Sequence, residues 1–156
     1  MTSPAPQIRP ADFTDPQLLA LLRLHLHEAL AHSPPGTSYA LNLSGLQNPS
    51  VSLYALWLGD ALAGMGALQE LAPDWGELKS MRTAPAFLRQ GLASVVLAHL
   101  IGEARARGYR RLSLETGTGP EYGPAVALYS RHGFVPGGVY GSYQPSPHNQ
   151  YFHLDL

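Results

Sequence analysis

Cysteine is absent from the 156-residue chain. Without it the protein has no disulfide, no thiolate metal site and no cysteine nucleophile. Charged residues are also scarce, at 13% of the chain, and they nearly cancel to a net charge of −1. A basic surface that follows a phosphate backbone is therefore not expected, and neither nucleic acid nor an acidic membrane surface is predicted as a partner.

Long apolar runs are missing as well. No segment approaches the roughly 20 apolar residues of a membrane-spanning helix. Residues 1–10 hold three prolines and lack the apolar stretch of a signal peptide. We therefore expect a cytoplasmic protein without a membrane span, a setting that the absence of cysteine also fits. Hydrophobic residues make up 45% of the chain, and its length suits one domain over residues 1–156.

Hydrophobic periodicity and turn residues predict an alternation of strands and helices. Asp15 and Pro16 are typical of a helix start, and the Pro34–Pro35 pair ends that helix. The expected elements are a strand at 7–9, a helix from 15 to 32, antiparallel strands at 51–58, 61–71 and 77–83, a helix at 91–107, a strand at 111–116, a helix at 124–132 and strands at 134–136 and 150–156. The apolar face of the first helix is expected at Leu19, Leu22, Leu26 and Leu30, and that of the second at Leu92, Val95, Val96, Leu100 and Ala104.

Three histidines in the first helix suggest a metal site at first sight. Helical spacing places His25 and His32 on one side of the helix and His27 nearly opposite. No cysteine and no carboxylate cluster accompanies them, so the histidines are interpreted as a solvated helix face. No metal is predicted.

The segment from residue 81 to residue 94 is the most informative one. It is predicted as a strand, a short loop and a helix whose first turn holds the small residues Gly91, Ala93 and Ser94. The first N–H groups of a helix have no partner within it, and the helix dipole adds partial positive charge there. Arg89 adds a full charge nearby. The segment therefore predicts a site for a phosphate-bearing cofactor.

Two paired motifs indicate which cofactor this is. Gly91 and Ala93 fill the last two places of a pyrophosphate motif whose first place, usually Gln or Arg, holds Leu88. Further on, the Leu128–Tyr129 pair near the end of a predicted helix is followed by Gly133–Phe134, with Gly133 four residues past Tyr129. With these motifs and the order of elements over roughly residues 7–156, the chain resembles the GNAT family of N-acetyltransferases, which commonly ends its second cofactor-side helix with such pairs. The chain lacks the Gly-rich P-loop and Gly-x-Gly-x-x-Gly motifs of other nucleotide binders.

The resemblance implies an α/β fold with a mixed sheet of six to seven strands flanked by helices. A splayed parallel pair, here 77–83 and 111–116, would admit the pantetheine arm of acetyl-CoA. A main-chain N–H near Met81 would face the thioester oxygen. The implied cofactor-binding residues are Met81, Arg82, Thr83, Arg89, Gln90, Gly91, Leu92, Ala93 and Ser94.

Acetyl transfer from a thioester to an amine needs an acid for the departing sulfur and a way to remove the amine proton. The resemblance assigns the acid to Tyr129, and the alternative for this residue is a core tyrosine. Glu77 is the candidate base, directly or through water, since strand alternation puts it on the same face as Met81. The alternative is an exposed glutamate paired to Lys79. Glu115, on the opposite strand, is a second candidate, and water a third.

The long loop at 137–149 holds Tyr140, Tyr143 and His148. Together with Tyr39 and the first helix it is expected to enclose a small-molecule amine with an apolar or aromatic part, although these side chains could instead pack the loop or a dimer contact. The activity predicted is acetyl-CoA-dependent N-acetyltransfer by direct attack in a ternary complex. The competing hypothesis is an acyl-CoA sensor without chemistry, motivated by Leu88 and by Tyr122, which stands where the family often has Asn. A homodimer is left open.

Overall fold

One seven-stranded sheet with helices on both faces forms the protein. The computed structural model describes residues 4–156, so residues 1–3, where the predicted domain begins, lie outside the described residues. The strands are β1 (Pro6–Pro10), β2 (Val51–Leu58), β3 (Ala61–Ala72), β4 (Trp75–Thr83), β5 (Arg111–Gly117), β6 (Val135–Gly137) and β7 (Asn149–Asp155). The helices are α1 (Pro16–Ala31), α2 (Leu43–Leu46), α3 (Leu92–Ala106) and α4 (Gly123–Arg131), with single 3₁₀ turns at Pro85–Phe87 and Pro120–Tyr122.

The sheet order is β1-β2-β3-β4-β5-β7-β6, antiparallel throughout except for the β4–β5 pair. This confirms the mixed sheet and the parallel pair expected from the sequence. Two apolar cores cover the two faces. The larger core lies under α3 and α4, and the smaller one lies under α1 and α2.

The buried face of α1 differs from the predicted one. Leu18, Leu21 and Leu22 are buried, whereas Leu30 is 60% exposed. Asp15 caps the helix as expected, accepting from the N–H groups of residues 17 and 18. The buried residues of α1 all lie in its first two turns, and its C-terminal half borders a cavity. Leu30 belongs to neither of the two cores.

The prediction for α3 is closer to the observed helix. Its buried residues are Leu92, Val96, Leu97, Leu100, Ile101 and Ala104. Val95, predicted on the apolar face, is 38% exposed. Most of the buried residues belong to two rows of residues four apart on the helix, one starting at Val96 and one at Leu97. Val95 lies at the edge of this buried face.

β4 and β5 pair over a short stretch and then separate. The register joins Trp75 to Arg111, Gly76 to Leu112 and Glu77 to Ser113, although β4 continues to Thr83 and β5 to Gly117. Beyond these pairs the two strands diverge. The splayed pair opens a cleft in the sheet that leaves backbone groups of both strand ends without a strand partner.

A β-bulge in β4 changes which way its later side chains point. The register with β3 shifts between Met65 and Ala67, and Ser80 has a φ of 56°. A bulge adds one residue to one strand and so reverses the alternation after it. Met81 consequently packs into the core under α3, while Glu77, beside Ser113, lies on the opposite face. The expectation that Glu77 and Met81 share a face was therefore wrong.

Gly66 in β3 lies directly under α3 and the Met81 side chain. A Cβ atom there would lie 2.7 Å from both Met81 Sδ and Val96 Cγ1 and 2.9 Å from Leu100 Cδ1. We expect Gly66→Ala to lower the free energy of unfolding by about 1–3 kcal/mol through overpacking, measured by urea denaturation. Gly102→Ala, in open space on α3, is the control and should be neutral or stabilising because alanine favours helix. Equal effects of the two changes would contradict the close packing.

Candidate active site

A cavity of about 680 Å³ occupies the cleft between β4 and β5. Small-molecule sites typically enclose roughly 300–1,000 Å³. The C-terminal half of α1 and the loop after it form one wall. The first turn of α3 and helix α4 form the other. The cavity thus joins the predicted phosphate site to the predicted acceptor side.

The first turn of α3 has no side-chain cap, unlike α1 and α2. Within residues 4–156, no backbone hydrogen bond outside the regular elements uses the N–H groups of residues 88–94. The N–H groups of the first helical turn have no intrahelical acceptor. The turn therefore presents free donors and the positive end of the helix dipole to the cavity.

The loop before α3 contains two residues with left-handed backbone conformation. Arg89 and Gly91 both have positive φ, 63° and 76° respectively. Left-handed residues of this kind turn successive N–H groups toward one point and form an anion-binding concavity. For Arg89, which is not a glycine, the conformation is strained. The loop backbone can therefore bind an anion.

The predicted cofactor-binding residues lie around this cavity with one exception. The cavity-lining members are Met81, Arg82, Thr83, Arg89, Gly91, Leu92, Ala93 and Ser94. Gln90 is exposed and does not line the cavity. The Leu92 side chain is buried in the core under α3, so only its backbone is available to a ligand.

Tyr129 on α4 lines the cavity and is 8% exposed. Its ring packs edge-on to Phe134 at 5.9 Å between centroids. Burial, together with the nearby Glu115 carboxyl, raises the pKa of Tyr129 to about 12. The phenol is therefore protonated across the neutral range and available as a donor.

Glu77 is buried, with 3% exposure, and does not line the cavity. The Tyr140 and Tyr143 hydroxyls each donate to its Oε2 at 2.5 Å, and Lys79 Nζ lies 3.4 Å from Oε1. Burial and the Glu77 charge raise the pKa of both tyrosines, so both remain donors. Glu77 therefore pairs with Lys79, as one alternative expected. The glutamate is buried rather than exposed, and the Tyr143 side chain lies between it and the cavity.

Glu115 on β5 lines the cavity. Burial raises the pKa of its carboxyl, against the opposing effects of a hydrogen bond from Asn149 and the charge of Lys79. The Asn149 Nδ2 donates to Glu115 Oε2 at 2.8 Å. Of the two candidate carboxylates, Glu115 is the one in direct reach of a ligand.

The His25 side chain belongs to the cavity rather than to a solvated face. Arg82 donates from Nε to His25 Nδ1 at 3.1 Å and from Nη1 to Glu28 Oε2 at 2.5 Å. Burial, with the Arg82 charge, lowers the pKa of His25 to about 4, so the ring is neutral at pH 7. His27 and His32 are exposed, as predicted. The Arg82 side chain therefore faces α1 and the acceptor side.

The tyrosines of the long loop divide into two roles. Tyr143 lines the cavity and meets Tyr39 edge-on at 4.7 Å between centroids. Tyr140 is buried and packs against Trp75. His148 is exposed. The loop therefore contributes one wall residue and one packing residue rather than a complete cover.

A family model described as the acetyltransferase (GNAT) family matches residues 18–134, which include α1, α3, α4 and the cavity between them. The chain belongs to the GNAT family. It is therefore an acyltransferase, and the resemblance inferred from the two paired motifs is confirmed.

Among the relatives, the uncharacterized N-acetyltransferase YedL of Escherichia coli (strain K12) is 43% identical over 149 residues, covering 96% of this chain and 94% of the relative. A solved structure of an acyl-CoA N-acyltransferase from Klebsiella pneumoniae is 28% identical, with a TM-score of 0.80 and 97% of each chain covered. An acetyltransferase of Bacillus subtilis solved in complex with CoA has the same fold, with a TM-score of 0.73 at 18% identity and coverage of 97% and 99%.

Several contacts beside this GNAT cavity were not found from the sequence. Asn149 and Thr37 meet although they lie far apart in the chain. No local pattern signals such a contact. The His25–Glu28 spacing of three does place both on one helix face, and it would have indicated a shared partner.

Among residues 4–156, no helix has the length and apolarity needed to cross a bilayer. Within the same residues, no group of three or more His, Asp or Glu side chains is arranged to hold a metal ion.

Proposed function

We propose that the protein transfers the acetyl group of acetyl-CoA to the amine of a small molecule by direct attack in a ternary complex. The observation that carries this is the uncapped first turn of α3, which opens its free N–H groups into the same cavity as Tyr129 and Glu115. Acetyl-CoA supplies an activated acyl thioester. The diphosphate would be held by residues 89–94 and the pantetheine arm by the splayed end of β4.

The residues divide the proton transfers between them. Attack of the amine nitrogen on the carbonyl carbon breaks the carbon–sulfur bond, so the sulfur must gain a proton and the nitrogen must lose one. Tyr129, neutral at physiological pH, would donate to the sulfur. Glu115 would accept from the amine directly. Glu77 would act only through the Tyr143 hydroxyl, which separates it from the cavity.

The acceptor side supports a small amine with an apolar or aromatic part. Tyr39, Leu41, Met65 and Tyr143 line it. The test is release of free CoA thiol when the purified protein is mixed with acetyl-CoA and a panel of aromatic and aliphatic amines. Thiol release over the no-amine rate supports the proposal, and folded protein without release on any amine would count against it.

The sensor without chemistry is the second candidate. Leu88, in place of the usual Gln or Arg, is 56% exposed, and Tyr122 lines the cavity where Asn is common. A sensor predicts tight CoA binding by calorimetry with no turnover. The thiol assay and the calorimetry together separate the two functions.

Ala93→Glu tests the phosphate site. Ala93 lies in the first turn of α3 and lines the cavity. We expect the Kd for CoA to rise at least about tenfold because a carboxylate repels the diphosphate. The melting temperature without CoA should hold or rise, because an acidic residue suits a helix N-terminus. Calorimetry and thermal melts measure the two effects.

The control for this prediction is Ala98→Glu on the exposed face of the same helix. It adds the same charge away from the cavity, so the CoA affinity should be unchanged. Equal loss of affinity in both variants would mean that the diphosphate does not bind at the first turn.

A further inference from the structure

Asn149 is the first residue of β7, in register with Gly117 of β5, and is 8% exposed. Its Nδ2 donates two hydrogen bonds, one to Glu115 Oε2 at 2.8 Å and one to the carbonyl of Thr37 at 2.9 Å. Both amide hydrogens are therefore used. They join the candidate base to the loop that follows α1.

The amide oxygen of Asn149 makes no stabilising hydrogen bond within the described residues. Asn149 Oδ1 is buried without a hydrogen-bond partner in the part of the chain that the structure describes. A buried acceptor without a partner is unfavourable. The contribution of the side chain thus rests on its two donated hydrogen bonds.

Glu115 is surrounded by groups that act on its charge in opposite directions. From β4, Lys79 favours the ionised carboxylate and Glu77 disfavours it. Tyr129 of α4, and Tyr143 and Tyr151 on the long loop and β7, lie within electrostatic reach. Among these neighbours, Asn149 is the one with a side-chain hydrogen bond to the Glu115 carboxylate.

We propose that Asn149 is a positioning residue that orients the Glu115 carboxylate toward the acceptor and ties it to the acceptor wall through Thr37. The inference rests on the proposed function for the role of Glu115. Thr37 lines the cavity beside Tyr39. One amide group thereby fixes the separation between the base and the wall that the acceptor contacts.

Asn149→Leu tests this because leucine keeps the shape and the burial but has no donor. A donated hydrogen bond favours the charged carboxylate, so its loss raises the pKa of Glu115. The activity needs the ionised form and is lost as the pH falls through that pKa. We therefore expect the acid limb of kcat/KM in the variant to move to higher pH by about one unit. The ¹³C shift of the Glu115 carboxyl should titrate with the same displacement.

Gln150→Ala is the matched control, since Gln150 also donates from a side-chain amide, to the carbonyl of Gly117 at 2.8 Å. It should leave the acid limb in place. Glu115→Gln already removes the acid limb, so adding Asn149→Leu to it should leave its pH profile unchanged. An active Asn149→Leu enzyme with an unchanged acid limb overturns the inference while acetyl transfer stands. If the wild type shows no turnover, the proposed function fails instead, and the carboxyl titration alone decides the inference: an unshifted midpoint overturns it.

Discussion

Tyr129→Phe is expected to lower kcat about 10²-fold, the lower end of the range for the loss of a proton donor. The hydroxyl lies on a cavity-lining residue and stays protonated, because burial raises its pKa to about 12. Removing it leaves the ring and its contact with Phe134 in place. The Kd for CoA and the melting temperature should therefore change little. Steady-state kinetics and calorimetry measure both quantities.

Tyr109→Phe is the control for this prediction. Tyr109 is also buried in the core under α3, but its hydroxyl donates to Glu70 at 2.9 Å and does not line the cavity. Loss of the Tyr109 hydroxyl should lower the free energy of unfolding and leave kcat unchanged. If the two variants had the same kcat, or if Tyr129→Phe had wild-type kcat, Tyr129 would be a core tyrosine only, and another group or water would protonate the sulfur.

Glu115→Gln is expected to lower kcat/KM by about 10²- to 10³-fold and to remove the acid limb of its pH profile. The carboxyl lines the cavity, and burial raises its pKa. Activity in the wild type should therefore fall as the pH drops through that raised value, since the protonated acid cannot accept a proton. The glutamine keeps the size of the side chain but cannot titrate. A pH series of kcat/KM on one amine measures the difference.

Glu77→Gln distinguishes the two carboxylates. Glu77 is enclosed by Tyr140, Tyr143 and Lys79, so its neutralisation should destabilise the fold more than Glu115→Gln does. It should reduce kcat/KM less and leave the acid limb present. The opposite pattern, with the acid limb lost in Glu77→Gln and kept in Glu115→Gln, would return the role of base to Glu77 through the Tyr143 hydroxyl.

The sequence predicted the parts of the site that depend on local chemistry. The small residues Gly91, Ala93 and Ser94 and the Leu128–Tyr129 pair each lie on one element, and their spacing is visible in the chain. The strands and longer helices were predicted to within two residues of their observed bounds, because turns, caps and periodicity are local signals.

The prediction failed where distant segments decide the geometry. The bulge at Ser80 reverses the side-chain alternation of β4. Ser80 has a positive φ, and the residue types around it do not predict one. The contact of Asn149 with Thr37 and Glu115 depends on the packing of β5, β7 and the loop after α1. The assignment of Glu77 rested on regular alternation, which the bulge interrupts.

The proposed function depends on binding of the CoA diphosphate by the main-chain amides of residues 89–94. The most direct measurement is a crystal structure of the protein with CoA bound. We expect diphosphate oxygens at about 2.7–3.2 Å from backbone nitrogens in this segment, with the pantetheine arm between β4 and β5. A diphosphate bound elsewhere, or these amides occupied by acceptors of the chain itself, would contradict this binding mode.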